Sequence, residues 1–542
     1  MVGRDRWARR PTSDSESQSE IEKVLSPLAR RLLPPSFMQA PRRFLVVLCA
    51  FALLDAVRAA VVPAPLFTHN AVLQRGKPVP VWGTADPGER VSVTFAGQVL
   101  STTADAAGLW RIDLAPLPAS DNPAELVIKG TNTITLKNIL VGEVWLASGQ
   151  SNMEWAVKNT YDAALDIPAS ARFPLIRHIQ IAKKVSDSPL SKASGAWNIA
   201  SPATTGDFSA VAYYFAVDIH QFLNVPVGII HSSWGGTRIE SWLTPDALRS
   251  DPAFTSVAEG WTKALASYPD AKLKHDAAMA AWKAEQAAAK AANQAFTKRA
   301  PYPPWGPGHH ATPGGLNNGM IAPLAPYALR GALWYQGEAN AEKASEYHAL
   351  FSALITGWRT QFAQGDFPFY WAQLANYKAN NADATQWASL REAQNRTLAL
   401  PATGQAVITD IGDYNDIHPR NKKDVGRRLA RIALARTYDK NLAASGPVFA
   451  TAERFGPSFR VRFTEVWGGL RAPLNTLSGF ELAGADKVFK PANAKIDGET
   501  VLVINSEVPD PIAVRYAWRN APVAGLFNNE GLPAVPFRSD TW

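Results

Sequence analysis

Ser151 lies in Val141-Gly-Glu-Val-Trp-Leu-Ala-Ser-Gly-Gln-Ser-Asn-Met-Glu-Trp155, where a short apolar run meets residues that turn the chain. Val144 to Ala147 reads as a buried strand, Ser148-Gly149 permit a tight turn, and Asn152 to Val157 can open a helix. The serine would then ride on a strand-to-helix elbow, its hydroxyl at the tip and its N–H near a helix N-terminus. An acyl-transfer nucleophile needs that geometry, because the amide can stabilise a developing oxyanion. The same residues also describe an ordinary strand–turn–helix with a capping serine. Partners elsewhere in the chain decide between the two.

Three further stretches supply candidates. His231-Ser-Ser-Trp-Gly-Gly-Thr-Arg-Ile-Glu240 follows an apolar strand. Trp334-Tyr-Gln-Gly-Glu-Ala-Asn340 follows another. Asp410-Ile-Gly-Asp-Tyr-Asn-Asp-Ile-His-Pro-Arg-Asn-Lys422 closes the series. Ligands of open α/β sheets collect at such strand ends. His418 can take the proton from Ser151 and return it to a leaving alcohol. Asp416 is near enough in sequence to orient the imidazole. An N–H of Gly235 or Gly236, the Asn340 amide and the Ser151 N–H could form an oxyanion hole, each donor worth roughly 3–4 kcal/mol. Plainer roles exist for each: a Gly-Gly turn, a helix cap at Asn340, a solvated Glu338. Ser232 and Ser233 are rival nucleophiles without an elbow of their own. Asp410, Asp413 and Asp416 do not match a calcium loop, and the His309-His310 loop has a composition that usually binds nothing. No Gly-x-Ser-x-Gly surrounds Ser151, and neither the HExxH nor the Walker pattern occurs.

The elements that would position these residues alternate. Val144–Ala147, Val227–His231, Gly331–Tyr335, Phe369–Gln373 and Ala406–Thr409 read as strands. Phe208–Leu223, Tyr347–Phe362, Gln386–Leu400 and Lys422–Tyr438 read as helices. This predicts an α/β fold, a parallel sheet flanked by helices, over residues 141–445. Residues 60–140 read as a small antiparallel β domain and 446–542 as a second β region. Between them, 250–315 is an insertion: an Ala- and Lys-rich helical stretch, then a Pro/Gly/His loop that is either a surface hairpin or a lid.

The chain's 542 residues, 46 % hydrophobic and 19 % charged, allow two or three domains and a large core. Residues 1–59 are kept apart from the fold. Arg42-Arg43, eleven apolar residues from Phe44 to Leu54, and Val57-Arg58-Ala59 describe a secretory signal over about 38–59, too short for a membrane span. Residues 1–37 read as an upstream extension, with translation expected to start at Met38. Residues 1–59 carry ten Arg/Lys and six Asp/Glu, so the formal charge of +8 falls to about +4 without them. Nucleic-acid binding gains little support from that balance. The one cysteine, Cys49, lies in the signal, so the mature chain has no thiol nucleophile or disulfide, as suits a bacterial periplasm or exterior.

Together these stretches resemble the SGNH-hydrolase superfamily, and in detail the sialate O-acetylesterase-type (SASA-domain) carbohydrate esterases. The resemblance rests on Gly-Gln-Ser-Asn-Met-Glu at 149–154, Trp-Gly-Gly-Thr at 234–237 and Asn-Gly-Met-Ile at 318–321. Trp-Tyr-Gln-Gly-Glu-Ala-Asn at 334–340 and Asp-Ile-His-Pro-Arg-Asn-Lys at 416–422 complete it. It implies a flavodoxin-like sheet, Ser151 as nucleophile, His418 as base, and a glycine of 235–236 with Asn340 in the oxyanion hole. It implies no cofactor or metal. The superfamily often places its acid three residues before the histidine; position 415 is Asn here, so Asp416, Asp413 or a carbonyl-supported dyad remain open. Gln150, Arg238, Gln336 and Glu338, with Glu240, Trp242 and Trp305, are expected substrate contacts. The expected substrate is an acetylated carbohydrate, O-acetyl sialic acid or a plant polysaccharide such as xylan, and the Trp-rich, cysteine-free chain favours the latter. A carbohydrate-binding protein without activity, and a lipase or thioesterase, are the alternatives. Oligomeric state is not legible.

Overall fold

The computed structural model describes residues 60–473 and 477–542, and Ala60–Trp542 forms one compact unit. The expected signal and upstream extension lie outside the described residues. At the centre is an 11-stranded mixed sheet. Its inner strands run in the order Ile176–Gln180, Val227–Ser233, Thr133–Gly149, Gly331–Tyr335, Phe369–Ala372 and Thr403–Ala406, all parallel. Trp197–Ile199 adds an antiparallel edge. Parallel strands are buried on both faces, which is why Val144–Ala147, Gly331–Tyr335 and Phe369–Ala372 read as apolar runs. Within them the period of two still sorts side chains. Trp145, Tyr335 and Tyr370 enter one core layer beneath the helices Ala210–Leu223 and Lys423–Arg436. Trp334 and Trp371 enter the opposite layer, with Trp242 and Trp358, beneath Ala344–Phe362 and Gln386–Arg396. Truncating one of these buried rings to Ala costs about 3–5 kcal/mol.

The expected boundary at 140/141 falls inside a single strand. Thr133–Gly149 pairs antiparallel with Ser120–Lys129 and parallel with Val72–Gln74, then continues into the central sheet. The change of texture at Val141 marks where the strand passes from a half-covered setting to one covered on both faces. Two short strands, Ile176–Gln180 and Trp197–Ile199, lack a sequence signal of their own, and the last inner strand ends at Ala406 rather than Thr409. After Glu154 the chain leaves the helix at once, because Trp155 adopts extended backbone and Ala156 bridges to Ser209. The insertion forms one 37-residue helix, Thr255–Ala291, with no buried residue. Its return loop is fastened to it: Trp282 Nε1 donates to the Lys298 carbonyl at 2.8 Å, and Tyr268 packs where a side chain on Gly306 would stand. Two antiparallel four-stranded sheets and a two-stranded one make up the C-terminal region among the described residues. They dock through buried Arg391, which donates to the carbonyls of Arg519 and Asn520, both at 2.8 Å. Among the described residues no helix is long and apolar enough to cross a membrane.

Where the long strand enters the central sheet, Glu143 is fully buried. Its carboxylate accepts from Arg75, from Arg330 Nε at 2.7 Å and from Gln74 Nε2 at 3.1 Å, joining three strands at one point. Removing one member of a buried ionic cluster strands the others, so Glu143→Ala should cost about 3–5 kcal/mol. Denaturant unfolding measures this, and a loss near zero would show the clamp to be dispensable.

Candidate functional site

Strand register brings the candidate stretches together. Ser148 is paired with Ser232 on one side and Trp334 on the other; Gly149 is paired with Ser233 and Tyr335. The loops that leave these three strands therefore start side by side at the carboxyl edge. Gly149 makes the exit possible: its φ is +136°, and a Cβ there would stand 2.2 Å from the Tyr335 carbonyl oxygen. Ser151 follows as the first residue of a single helical turn, Ser151–Glu154.

The Ser151 Oγ lies 2.9 Å from His418 Nε2. An imidazole at that distance can take the hydroxyl proton as the oxygen attacks an ester carbonyl. Trp155 stacks on the imidazole, with ring centres 5.3 Å apart and planes at 17°. Burial, then the Lys422 ammonium, lower the His418 pKa from 6.5, and Asp416 opposes them. Asp416 Oδ1 is 3.6 Å from His418 Nδ1, its side chain is 56 % exposed, and the same oxygen accepts the His418 backbone N–H at 2.9 Å. Asp413 instead caps the turn, accepting the N–H groups of Asn415 and Asp416. Asp410 is held by Arg428 in a two-pronged ion pair at 2.6 Å.

The donors expected of an oxyanion hole differ in availability. The Gly235 N–H is taken: Glu154 Oε2 accepts it at 2.6 Å, and Glu154 is paired with Lys183 through its other oxygen. The N–H groups of Ser151 and Gly236 make no hydrogen bond among the described residues, and Gly235 lies against the Ser151 side chain. Asn340 is buried; its Oδ1 accepts from Ile239 N–H and Gln336 Nε2, and its Nδ2 donates to Glu240 Oε2 at 2.8 Å. One amide hydrogen of Asn340 is left over.

The expected substrate contacts divide. Arg238 and Trp305 lie at the surface of the site, the guanidinium 5.0 Å from the ring centre, and Arg238 makes no ion pair among the described residues. Tyr302, 69 % exposed, approaches Gly236, and His310 packs on Trp234. The loop after the long helix thus runs beside the glycine turn. Gln336 is placed differently from the expectation: it is fully buried and bonded to Thr237, Asn340 and Tyr347. Trp242 sits in the core against Trp334, and Glu240 is engaged by Asn340. Gln150 is also buried, accepting the N–H groups of Gly337 and Ala339 at 3.3 Å. Glu338 is half-buried rather than solvated; burial of its carboxyl raises its pKa, and it accepts from Asn152. Polar and aromatic residues just after a strand carry no mark of whether they face the site or underlie it, so these five read as contacts. Ser232 donates to the Met320 carbonyl, and Ser233 pairs with buried His231 at 2.6 Å, away from the elbow. Lys422, Asn152 and Trp155 also meet at the site; all three lie in or beside the motifs, but nothing in their types or spacing marks such a role.

Comparison with known proteins gives a consistent picture. A family model described as "Carbohydrate esterase, sialic acid-specific acetylesterase" matches residues 317–435. Sialate O-acetylesterases of Mus musculus and Homo sapiens are each 27 % identical, covering 84 % of this chain and 90 % and 88 % of their own lengths. A carbohydrate acetylesterase from Xanthomonas citri superposes with a TM-score of 0.76 at 36 % identity, over 89 % of this chain and 100 % of that one. The chain belongs to the sialate O-acetylesterase-type carbohydrate esterases and is a carboxylic ester hydrolase.

Proposed function

We propose that the protein removes O-acetyl groups from saccharides by a serine mechanism, with Ser151 as nucleophile and His418 as general base. The observation that carries this reading is the 2.9 Å approach of Ser151 Oγ to His418 Nε2 at the carboxyl edge of the sheet. The hydroxyl oxygen attacks the acetyl carbonyl while His418 takes its proton. Charge gathers on the former carbonyl oxygen, where the N–H groups of Ser151 and Gly236 and the spare Asn340 hydrogen are the candidate donors. Collapse expels the sugar alcohol with the proton from His418, and water, deprotonated in turn, releases acetate. With the short outer strand 176–180 set aside, the remaining five of the six parallel strands, 227–233, 133–149, 331–335, 369–372 and 403–406, run in the flavodoxin-like order 2-1-3-4-5, which supports the SGNH architecture.

For the substrate, the named activity of the curated relatives and the unpaired Arg238 guanidinium favour an acidic sugar such as O-acetyl sialic acid. The exposed Tyr302 and Trp305 offer ring faces on which a neutral oligosaccharide of acetylated xylan would also stack. The basic, apolar 38–59 segment supports export, with cleavage near Ala59.

Acetate release from O-acetyl sialic acid, acetylated xylan and an aryl acetate tests the reading. Ser151→Ala should lower kcat by roughly ten-thousandfold or more; release undiminished by the change, or none from the wild type, would defeat it. Because burial and Lys422 disfavour the imidazolium, the acid limb of kcat/KM should have its midpoint below pH 6.5. A midpoint above that value would place another base at the serine. Asp416→Asn should lower kcat by about tenfold to a hundredfold with KM little changed, less than the ten-thousandfold loss for a buried acid in direct contact. The separation and exposure of Asp416 set that smaller figure; an unchanged kcat would leave His418 oriented without it.

A further inference from the structure

Two backbone carbonyls flank His418, and both are held from beneath. The Ile417 carbonyl accepts from Asn152 Nδ2 at 3.0 Å, and the Pro419 carbonyl accepts from Lys422 Nζ at 2.6 Å. These two side chains are themselves joined, because the Lys422 ammonium also donates to Asn152 Oδ1. The second Nδ2 hydrogen of Asn152 goes to Glu338 Oε1 at 2.5 Å. Every hydrogen-bonding position the amide needs for this arrangement is filled, and an ammonium on one side with a carboxylate on the other allows only one orientation of it. Asn152 and Lys422 are both buried, at 1 % and 0 % exposure. The ammonium lies 5.6 Å from the ring centres of Trp155 and Tyr335, so the aromatic ring that covers the imidazole also covers the lysine.

We propose that Asn152 and Lys422 are positioning residues: a bracket that fixes the 417–419 segment to the turn carrying Ser151, and so sets the distance between nucleophile and base. Asn152 is the residue after Ser151. Any displacement of the histidine loop relative to the nucleophile therefore has to break bonds made by a residue one peptide away from it. The inference rests on the serine mechanism proposed above. It accounts for an observation that mechanism leaves open: Asp416, the expected orienting acid, is out of hydrogen-bonding reach of Nδ1 and half-exposed, yet the imidazole is directed at Ser151.

The bracket has an electrostatic side as well. The charged groups acting on His418 are Lys422, ahead of the helix Lys423–Arg436, and Asp416 on its own loop, while Glu338, on the loop after Gly331–Tyr335, acts on Lys422. Burial lowers the Lys422 pKa to about 7 while Glu338 and Asp416 pull it back up. The ammonium is thus charged at the acid pH where His418 titrates, and disfavours the imidazolium there.

The test compares wild type, Ser151→Ala, Lys422→Met and Asn152→Ala for acetate release from an aryl acetate, with full pH profiles. Lys422→Met should lower kcat at least tenfold with KM within about twofold, and should move the acid limb of kcat/KM to higher pH. Asn152→Ala, which leaves the Lys422–Pro419 bond in place, should lower kcat without moving that limb as far. It also decides the matter should Lys422→Met fail to fold. Full kcat in a folded variant, with only a lower unfolding temperature, would reduce the bracket to a structural role and overturn the proposal. So would a rise in KM at constant kcat, which would make the pair a substrate contact. Ser151→Ala separates the two levels: if it stays active the serine mechanism fails, whereas an inactive Ser151→Ala beside a fully active Lys422→Met and Asn152→Ala removes the bracket alone.

Discussion

Register is the constraint on which everything else in this fold depends. Ser148 must face both Ser232 and Trp334, and Gly149 both Ser233 and Tyr335, for three loops to leave the sheet at one level. A slip of one residue would turn Trp334 and Trp371 out of their core layer and carry Tyr335 and Tyr370 into it. The aromatic layers therefore lock the register, and the register brings the loops that carry Ser151, Gly236 and Asn340 to one edge of the sheet. Glu143 acts on the same strand from its other end, where a single carboxylate ties Arg75 and Arg330 to it.

Beneath the edge, the support is polar rather than apolar. Gln336, Asn340 and Glu240 form one connected set, Asn152, Glu338 and Lys422 another, and Gln150 holds the N–H groups of Gly337 and Ala339 between them in sequence. Interior groups of this kind are costly unless each is satisfied, and when satisfied they admit few alternative arrangements. Glu154 adds a third element, since it holds Gly235 by its N–H and so fixes the path of the glycine turn. Side chains that resemble ligand contacts in the sequence are, in this molecule, the framework that aims the few groups left facing outward.

Much of this was legible and some was not. The strand Gly331–Tyr335 lies between turn-forming stretches and has the bounds its sequence predicts. Ser151 and His418 were legible because strand ends rich in glycine and polar residues stand out against apolar runs. The fate of Gln336 and Trp242 was not, since burial is decided by packing from helices distant in sequence. The continuity of Thr133–Gly149 was hidden for a related reason: pattern reports how a strand is covered, and its cover changes halfway along. Nor could spacing show that the Gly235 N–H is already committed to a carboxylate 81 residues away.

The helix Thr255–Ala291 has a consequence for how the molecule melts. With no fully buried side chain, it is held by its own hydrogen bonds, by alanine and lysine propensity, by Val257 packing partly buried against the core and by the few links from its return loop. Its local opening free energy therefore lies far below that of the sheet. Tyr302 and Trp305 ride on that loop, whereas Ser151 and His418 belong to the sheet. On warming, the helix should lose its structure before the edge of the sheet that carries Ser151 and His418.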